Sequence, residues 1–329
     1  MSPINNHRKG LLLTAIGGAA LTVDIPLIKL ASGEPWSILM LRSAATFLAA
    51  LGVWAVWRVL GKGAPRLIPG RAGLAVACLY GLGSITFTFA VFHTTTANLV
   101  FILALSTTFA ALFSWVFLKE RPRLSTFLAM GATLAGVLII VGGGLGGGGL
   151  AGDAMALCSA IFIASAITIT RATRRDMGFA ALVGVAVPLA VATAFIWPVG
   201  LSVDAPGWIL LDGAVVMPLA FFCLATGPKY LSGPEVAMFY LLETVFAPIW
   251  VWILFAEKPP ANTLLGGTII VSALFAHALW QLAHGQRRKA PPAPAQPAWM
   301  RSGGVEASGD GDAAGGEKGA SRATGTVSA

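Results

Sequence analysis

Long apolar runs separated by short polar breaks fill this chain between Leu11 and His284. An α-helix needs about 20 apolar residues to cross the roughly 30 Å hydrocarbon core of a bilayer. Ten stretches reach about that length, at 11–31, 36–57, 72–92, 96–118, 124–142, 153–170, 179–198, 207–227, 235–256 and 263–283. The runs are continuous, whereas the strands of a membrane β-barrel alternate apolar and polar residues. The pattern therefore predicts an all-α polytopic membrane protein with ten transmembrane helices.

The composition supports this prediction, because 56% of the residues are hydrophobic and only 11% are charged. These values lie far from those of a soluble domain. The first apolar run follows a basic stretch at 7–9, as a signal peptide would. However, it is long, contains Asp24 and Lys29, and leads straight into the second run. We therefore expect it to be a retained membrane helix.

The basic residues predict the orientation of the helices. If the N-terminus lies in the cytoplasm, sixteen Lys and Arg residues of the flanks and short loops fall on the cytoplasmic side, against Lys258 alone on the other. Cytoplasmic loops carry such an excess. We expect a multi-pass protein of the inner (plasma) membrane, in contact with lipid, with both termini cytoplasmic. Because this topology accounts for the net charge of +8, we expect no nucleic-acid partner.

An internal repeat relates residues 98–122 to residues 235–259. With a shift of 137 positions, seven of the eighteen residues from 105 to 122 are identical in the second copy. The matched pairs are Leu105 with Leu242, Thr107 with Thr244, Phe109 with Phe246, Ala110 with Ala247, Trp115 with Trp252, Glu120 with Glu257, and Pro122 with Pro259. The shift carries the fourth span onto the ninth, so each copy holds five helices. Because five is odd, the two copies form inverted repeats, an arrangement common among secondary transporters.

The repeat also sets the expected domain boundaries. We expect a cytoplasmic N-terminus at 1–10, a first five-helix repeat at 11–142, a Gly-rich linker at 143–152 and a second repeat at 153–284. Residues 285–329 have too few apolar side chains to form a core, and we expect a disordered cytoplasmic tail. Two repeats suffice to form one pathway, so a monomer is sufficient, although a dimer is possible.

Several motifs resemble those of a known family. They are Leu-Leu-Glu-Thr-Val-Phe-Ala-Pro at 241–248, Glu-Lys-Pro at 257–259, Glu-Arg-Pro at 120–122, Gly-Gly-Thr-Ile-Ile at 266–270, and Arg42. Over about residues 10–284 the chain resembles the paired EamA-type domains of the drug/metabolite transporter superfamily. The resemblance implies a central cavity lined by spans 1, 3, 4, 6, 8 and 9, and export of amino acids or similar small organic solutes.

One departure between the copies bears on helix shape. The first copy has Ala111 where the second has Pro248. Proline removes a backbone hydrogen bond from a helix interior and favours a kink. We therefore expect any bend at this position to be confined to the ninth span.

Glu243 is the leading candidate for the substrate or coupling site. A charged group near the bilayer midplane is costly and is often functional. Its carboxyl group could exchange a proton, accept a substrate ammonium group, or form a structural hydrogen bond to a neighbouring helix. Tyr240 lies three residues earlier, on nearly the same helix face. Tyr80 of the third span is expected at the same cavity.

A charge cluster is expected in the outer third of the bundle, formed by Asp24, Lys29 and Arg42. Pro26 should weaken the first span and free backbone carbonyl groups near Asp24. An ion pair between Asp24 and Arg42 would be structural, although the cluster could also gate the outer mouth or meet a substrate carboxylate. We expect the Lys29 side chain to extend to the membrane surface.

Two pairs of residues are candidate gates. His93 and Asn98 flank the short Thr-Thr-Thr turn at the outer ends of spans 3 and 4. The repeat places Tyr230 and Glu235 at the equivalent inner ends of spans 8 and 9. The alternative for a single interfacial histidine such as His93 is a solvated helix cap.

The sequence favours a carrier that exports small organic metabolites, most directly amino acids, by alternating access, with or without protons. The alternative is an exchanger or facilitator of phosphorylated or nucleotide-linked solutes, or of organic cations and drugs. Phosphate needs cationic donors, and only Lys29 and Arg42 qualify. No nucleophile motif with a partner histidine, no His-Glu-x-x-His and no phosphate loop is present, so we expect no enzyme activity, no cofactor and no metal.

Overall fold

The computed structural model describes residues 3–60, 67–119, 121–144, 149–173, 177–226, 230–231 and 233–285. Glu120 and the predicted tail from residue 286 onward lie outside these residues, as do the four linker residues 145–148. Residues 1–284 form one compact unit. Among its described residues, ten helical segments are long and apolar enough to cross a membrane. These segments are spans 1 to 10, and they confirm the predicted all-α fold class.

Six of the spans are single helices. They are Pro35–Val59 (span 2), Gly70–His93 (span 3), Leu124–Gly144 (span 5), Leu150–Thr173 (span 6), Gly233–Phe255 (span 9) and Ala261–Gly285 (span 10).

The other four spans are built from consecutive helical pieces. Span 1 consists of Pro3–Leu21 and Asp24–Ala31, and span 4 of Thr96–Leu103 and Leu105–Leu118. Span 7 consists of Gly178–Val183 and Ala186–Ile196. Span 8 consists of Pro206–Leu211, a π-helical turn at Asp212–Val216, and Met217–Thr226.

The break in span 1 follows from its proline. Pro26 has no N–H group to donate to the carbonyl of Thr22, four residues earlier. The helix ends at Leu21 and restarts at Asp24. The N–H groups of Thr22 and Val23 instead bond the carbonyls three residues back, at 3.2 Å. The predicted weakening is confirmed, and it places Asp24 in the first turn of a new helix.

Spans 4 and 9 differ in continuity, although the repeat relates them. Span 9 runs as one helix through Pro248. Span 4 is interrupted at Ala104, seven positions before Ala111. The interruption in this pair therefore lies in the first copy, at another position than Pro248, and a bend of the ninth span at Pro248 stays a prediction.

The helix contacts follow the inverted repeat. Span 3 packs along span 6, and span 1 packs along span 8. The repeat relates span 3 to span 8, and span 1 to span 6. The contact between spans 3 and 6 is therefore equivalent to the contact between spans 8 and 1. This repeated contact is expected for inverted copies that share one pseudo-symmetry axis.

The main apolar core lies in one half of the bundle. We call the face where span 1 begins and span 10 ends the near face, and the face where span 1 ends and span 2 begins the far face. The fully buried side chains of Ile25, Ile28, Ile38 and Leu99 belong to one cluster in the far half. Close packing therefore fills the far half of the bundle.

Candidate functional site

A cavity of about 1080 Å³ occupies the centre of the bundle. This volume is at the upper end of those of small-molecule sites. Asp24 and Arg42 line its deep end, and Arg121 and Arg171 line it at the near face. The six spans expected from the family resemblance all contribute lining residues, and spans 2, 5, 7 and 10 contribute as well. The cavity therefore extends from the bundle interior to the near face.

A buried cluster of three charged side chains lies at the deep end. Arg42 Nη2 donates to Asp24 Oδ1 at 2.6 Å, and Arg42 Nε donates to Asp212 Oδ2 at 2.8 Å. The exposed fractions are 5% for Arg42, 3% for Asp24 and none for Asp212. The expected ion pair between Asp24 and Arg42 is present, and Arg42 also binds a second carboxylate, that of Asp212.

Local backbone geometry brings Asp212 to this position. Asp212 is the first residue of the π-helical turn in span 8. The next residue, Gly213, packs so closely on span 2 that a Cβ atom there would lie 2.5 Å from the carbonyl oxygen of Arg42. Sequence reasoning missed Asp212, although a charged residue within an apolar run is the signal that identified Asp24 and Glu243.

All four residues predicted for substrate or coupling line this cavity: Glu243, Tyr240, Tyr80 and Asp24. Glu243 is half-buried, and no hydrogen bond from a described residue reaches its carboxylate. The ring of Phe87 lies 5.6 Å from the Arg42 guanidinium carbon. The cavity therefore presents an available carboxylate among aromatic side chains, next to the buried cluster.

A second polar cluster joins several spans at the far face. Lys29 of span 1 forms an ion pair with Glu257, which follows span 9. The other carboxylate oxygen of Glu257 accepts a hydrogen bond from the backbone N–H of Thr96 at 2.7 Å. Lys29 therefore meets a carboxylate 228 positions away in a partly exposed pair, a partner that the expectation of extension to the membrane surface did not include.

Asn98 lies in the same far-face cluster. Its side-chain oxygen accepts from Thr263 Oγ1 at 2.6 Å, and its amide nitrogen lies 3.4 Å from Asp153 Oδ1. Thr94 Oγ1 donates to that same oxygen at 2.5 Å. We call Lys29, Thr94, Thr96, Asn98, Asp153, Glu257 and Thr263 the far-face network. Sequence reasoning missed Asp153, an acidic residue in the first turn of span 6.

The four predicted gate residues occupy different surroundings. His93 is exposed, and its Nδ1 lies 2.7 Å from the carbonyl of Phe89 within its own helix, so the structure does not join it to Asn98. At the near face, Tyr230 is 41% exposed, and Glu235 Oε1 lies 3.7 Å from His7 Nε2. Of the four, Asn98 is the member placed in a buried network.

Comparison with known proteins agrees with this architecture. A sequence model of the EamA-like transporter family matches residues 8–142 and 150–278, one match for each copy of the repeat. The pseudopaline exporter CntI of Pseudomonas aeruginosa, from two strains, is 26% identical over 282 residues, which cover 82% of this chain and 95% of the exporter. A solved crystal structure that is 17% identical has a TM-score of 0.57 and covers 81% of this chain and 98% of its own. That structural match supports the fold alone.

Proposed function

The chain belongs to the EamA-like transporter family, and on that premise we propose that it exports a small amine-bearing organic metabolite, such as an amino acid, by alternating access. The observation that carries this proposal is the cavity. It reaches the near face at Arg121 and Arg171 and ends at the buried charge cluster, while packed core and the far-face network lie beyond. Such an arrangement is one of the two states that alternating access requires, and inverted repeats allow exchange between them.

The charges in the cavity support an ammonium-bearing substrate. Glu243 presents a carboxylate with no hydrogen bond from the described residues, and the Arg42 guanidinium is already bound by two carboxylates. A substrate ammonium can bind Glu243 by a charge-assisted hydrogen bond. The tyrosine rings of Tyr80 and Tyr240 can add cation–π contacts in the same cavity.

The charges at the deep end of the cavity disfavour a phosphorylated substrate there, although Arg121 and Arg171 line the cavity at the near face. Recognition of phosphate needs cationic donors. The two cations considered for this role are both engaged by carboxylates, Arg42 by Asp24 and Asp212, and Lys29 by Glu257. A phosphate at the deep end would therefore have to displace an existing ion pair.

The orientation that we propose makes the near face cytoplasmic, with both termini on that side of the inner membrane. It follows from the excess of Lys and Arg in the loops of this face. The cavity then opens to the cytoplasm, which is the loading state of an exporter. The export named for the Pseudomonas relative also supports this direction. One chain supplies the whole cavity lining, so we propose that a monomer is sufficient.

The test is counterflow uptake into proteoliposomes of the purified full chain. The panel comprises radiolabelled amino acids, pseudopaline, a sugar phosphate and a quaternary ammonium compound. We expect saturable exchange of one or more amino acids, and loss of this exchange in Glu243→Gln. The matched control is Asp204→Asn, because Asp204 is exposed at the far face, and it should retain the exchange. Exchange of the sugar phosphate or the quaternary ammonium compound alone would support the alternative substrates. No exchange of any compound by folded protein would refute the proposal.

A further inference from the structure

We propose that Asp24, Arg42 and Asp212 form a proton-binding site, in which the two carboxyl groups share one proton that is released when the substrate ammonium binds. The coupling rests on the proposed function. The proton site itself does not, because its proton can be detected without any substrate. The transporter would then exchange exported substrate for protons.

The first argument is a charge count. Two carboxyl groups bind one guanidinium, at 2.6 Å and 2.8 Å, and all three side chains are at most 5% exposed. If both carboxyl groups were ionised, the cluster would carry one uncompensated negative charge away from water. Burial of an unpaired charge is strongly unfavourable, and proteins usually neutralise such a group instead. One proton on the carboxyl pair makes the cluster neutral.

The second argument concerns the hydrogen bonds of Asp212. Its Oδ2 accepts from Arg42, but its Oδ1 is buried and has no partner among the described residues. Buried carboxylate oxygens without a donor are rare. A proton on this carboxyl group would turn the unpartnered oxygen into a hydroxyl donor, which an ionised carboxylate cannot be.

Among the described residues, the elements around the cluster supply no second cation, because the other arginines of the cavity lining, Arg121 and Arg171, lie at the near face. Span 3 contributes Tyr80, and span 9 contributes Tyr240 and Glu243. Span 7, which packs on span 2, has no titratable residue within its described helices. Lys29 of span 1 is paired with Glu257, and Asp204, in the loop before span 8, is exposed. A proton is therefore the available positive charge for the second carboxyl group.

Access to the site explains how the proton exchanges. Asp24 and Arg42 line the cavity, whereas Asp212 lies behind them. A proton from cavity water can reach the pair through Asp24, converting one carboxylate into a carboxylic acid, and it leaves by the reverse step. Glu243 lines the same cavity, so a substrate ammonium bound there supplies the positive charge that the proton had supplied. Substrate and proton therefore compete, and binding of either weakens binding of the other.

The experiment is infrared difference spectroscopy of the full chain in lipid vesicles, titrated with pH, in water and in deuterium oxide. We expect the wild type to show the carbonyl band of a protonated carboxyl group at neutral pH. Glu243 is a half-buried carboxyl group in the same cavity, so the assignment is made in a Glu243→Gln background. There the band should remain, shift in deuterium oxide, and disappear when Asp212→Asn is added. A wild type without the band, a band lost in Glu243→Gln alone, or a band that survives in the double variant would overturn the proposal.

Asparagine keeps the size of Asp212 and an oxygen that accepts from Arg42 Nε, so we expect this variant to fold. If it does not, Asp24→Asn removes the other carboxyl group and must also abolish the band.

A second measurement tests the coupling. A mixture of the twenty common amino acids is added to the protein in weak buffer with a pH indicator. We expect release of about one proton per wild-type chain, as linkage between competing ligands requires, and no release from Asp212→Asn. A wild type that shows the infrared band but releases no proton would refute the coupling and leave the proton site intact. Protein that shows the band but transports no compound would instead refute the proposed function.

Discussion

The N-terminal ends of spans 4 and 9 are equivalent in the repeat but occupy contrasting environments. At the far face, the start of span 4 is bound by Glu257 through the Thr96 N–H, and Asn98 joins Thr263 and Asp153. At the near face, the residue equivalent to Asn98 is Glu235, which lies 3.7 Å from His7 in a partly exposed pair.

The contrast shows that the same sequence unit is closed at one end of the molecule and open at the other. The difference comes from the neighbours that converge on each helix end. At the far face, spans 1, 4, 6 and 10 and the segment after span 9 meet around partly and fully buried side chains. At the near face, span 1 also contacts span 9, but the cavity opens there and Arg121 and Arg171 line it. If the two copies exchange conformations during transport, the far-face network must break in the other state.

The largest expected effect comes from Glu257→Ala, because this change leaves both the Lys29 ammonium and the Thr96 N–H without their partner. A hydrogen bond to a charged group contributes about 1.5–3 kcal/mol, and a change of 1.4 kcal/mol shifts an equilibrium about tenfold. We expect the far face to open more often, by about tenfold or more. The reporter is Ser84→Cys in the cavity lining, introduced into a background in which Cys78, Cys158 and Cys223 are replaced by alanine. The measurement is the rate at which a membrane-impermeant thiol reagent, added on the far side, labels this cysteine.

The control for this prediction exchanges the charges of the pair. Lys29→Glu with Glu257→Lys restores an ion pair but offers no acceptor to the Thr96 N–H. Its labelling rate should therefore lie between those of the parent and Glu257→Ala. Labelling of Glu257→Ala at the parental rate would show that the ion pair and the helix cap do not hold the far face closed.

A smaller effect is expected from Asn98→Ala, which removes an uncharged side chain with one long contact, of 3.4 Å, to the Asp153 carboxylate and leaves Thr263 Oγ1 without its acceptor. A buried group that loses its partner costs about 1–3 kcal/mol. We expect a lower thermal unfolding temperature and a rise in far-side labelling below that of Glu257→Ala. Thr263→Val leaves the Asn98 side-chain oxygen without its donor but keeps the Asn98 contact to Asp153, so its loss of stability should be the smaller of the two. Equal stability of Asn98→Ala and the parent would exclude Asn98 from any closing role.

The fold could be predicted almost completely from the sequence, because the length of an apolar run directly reflects the thickness of the bilayer. The cavity positions of Glu243, Tyr240 and Tyr80 followed from their depth and from the family resemblance. The partners of buried charges could not be predicted in the same way. Hydropathy reports the depth of Lys29 in the membrane but not that Glu257, in another repeat, lies beside it.

The asymmetry between the two ends was also beyond sequence reasoning. The repeat predicts equivalent gates at Asn98 and Glu235, since both copies carry the same pattern. Which end is closed depends on the conformational state of the whole bundle. Asp212 is a different case, because its charge within an apolar run was visible in the sequence, and only its geometry beside Arg42 required the structure.

The smallest expected effect comes from Glu235→Gln, the change at the near face that corresponds in the repeat to Asn98→Ala. The Glu235 side chain is 21% exposed and that of His7 is 49% exposed, so water and salt screen their interaction. Surface ion pairs contribute about 0–1 kcal/mol, and this one requires a protonated histidine. We expect the thermal unfolding temperature and the far-side labelling rate to match those of the parent within error. A loss of stability as large as that of Asn98→Ala would mean that interactions equivalent to the far-face network hold the near end. The two ends would then not differ as a closed gate differs from an open one.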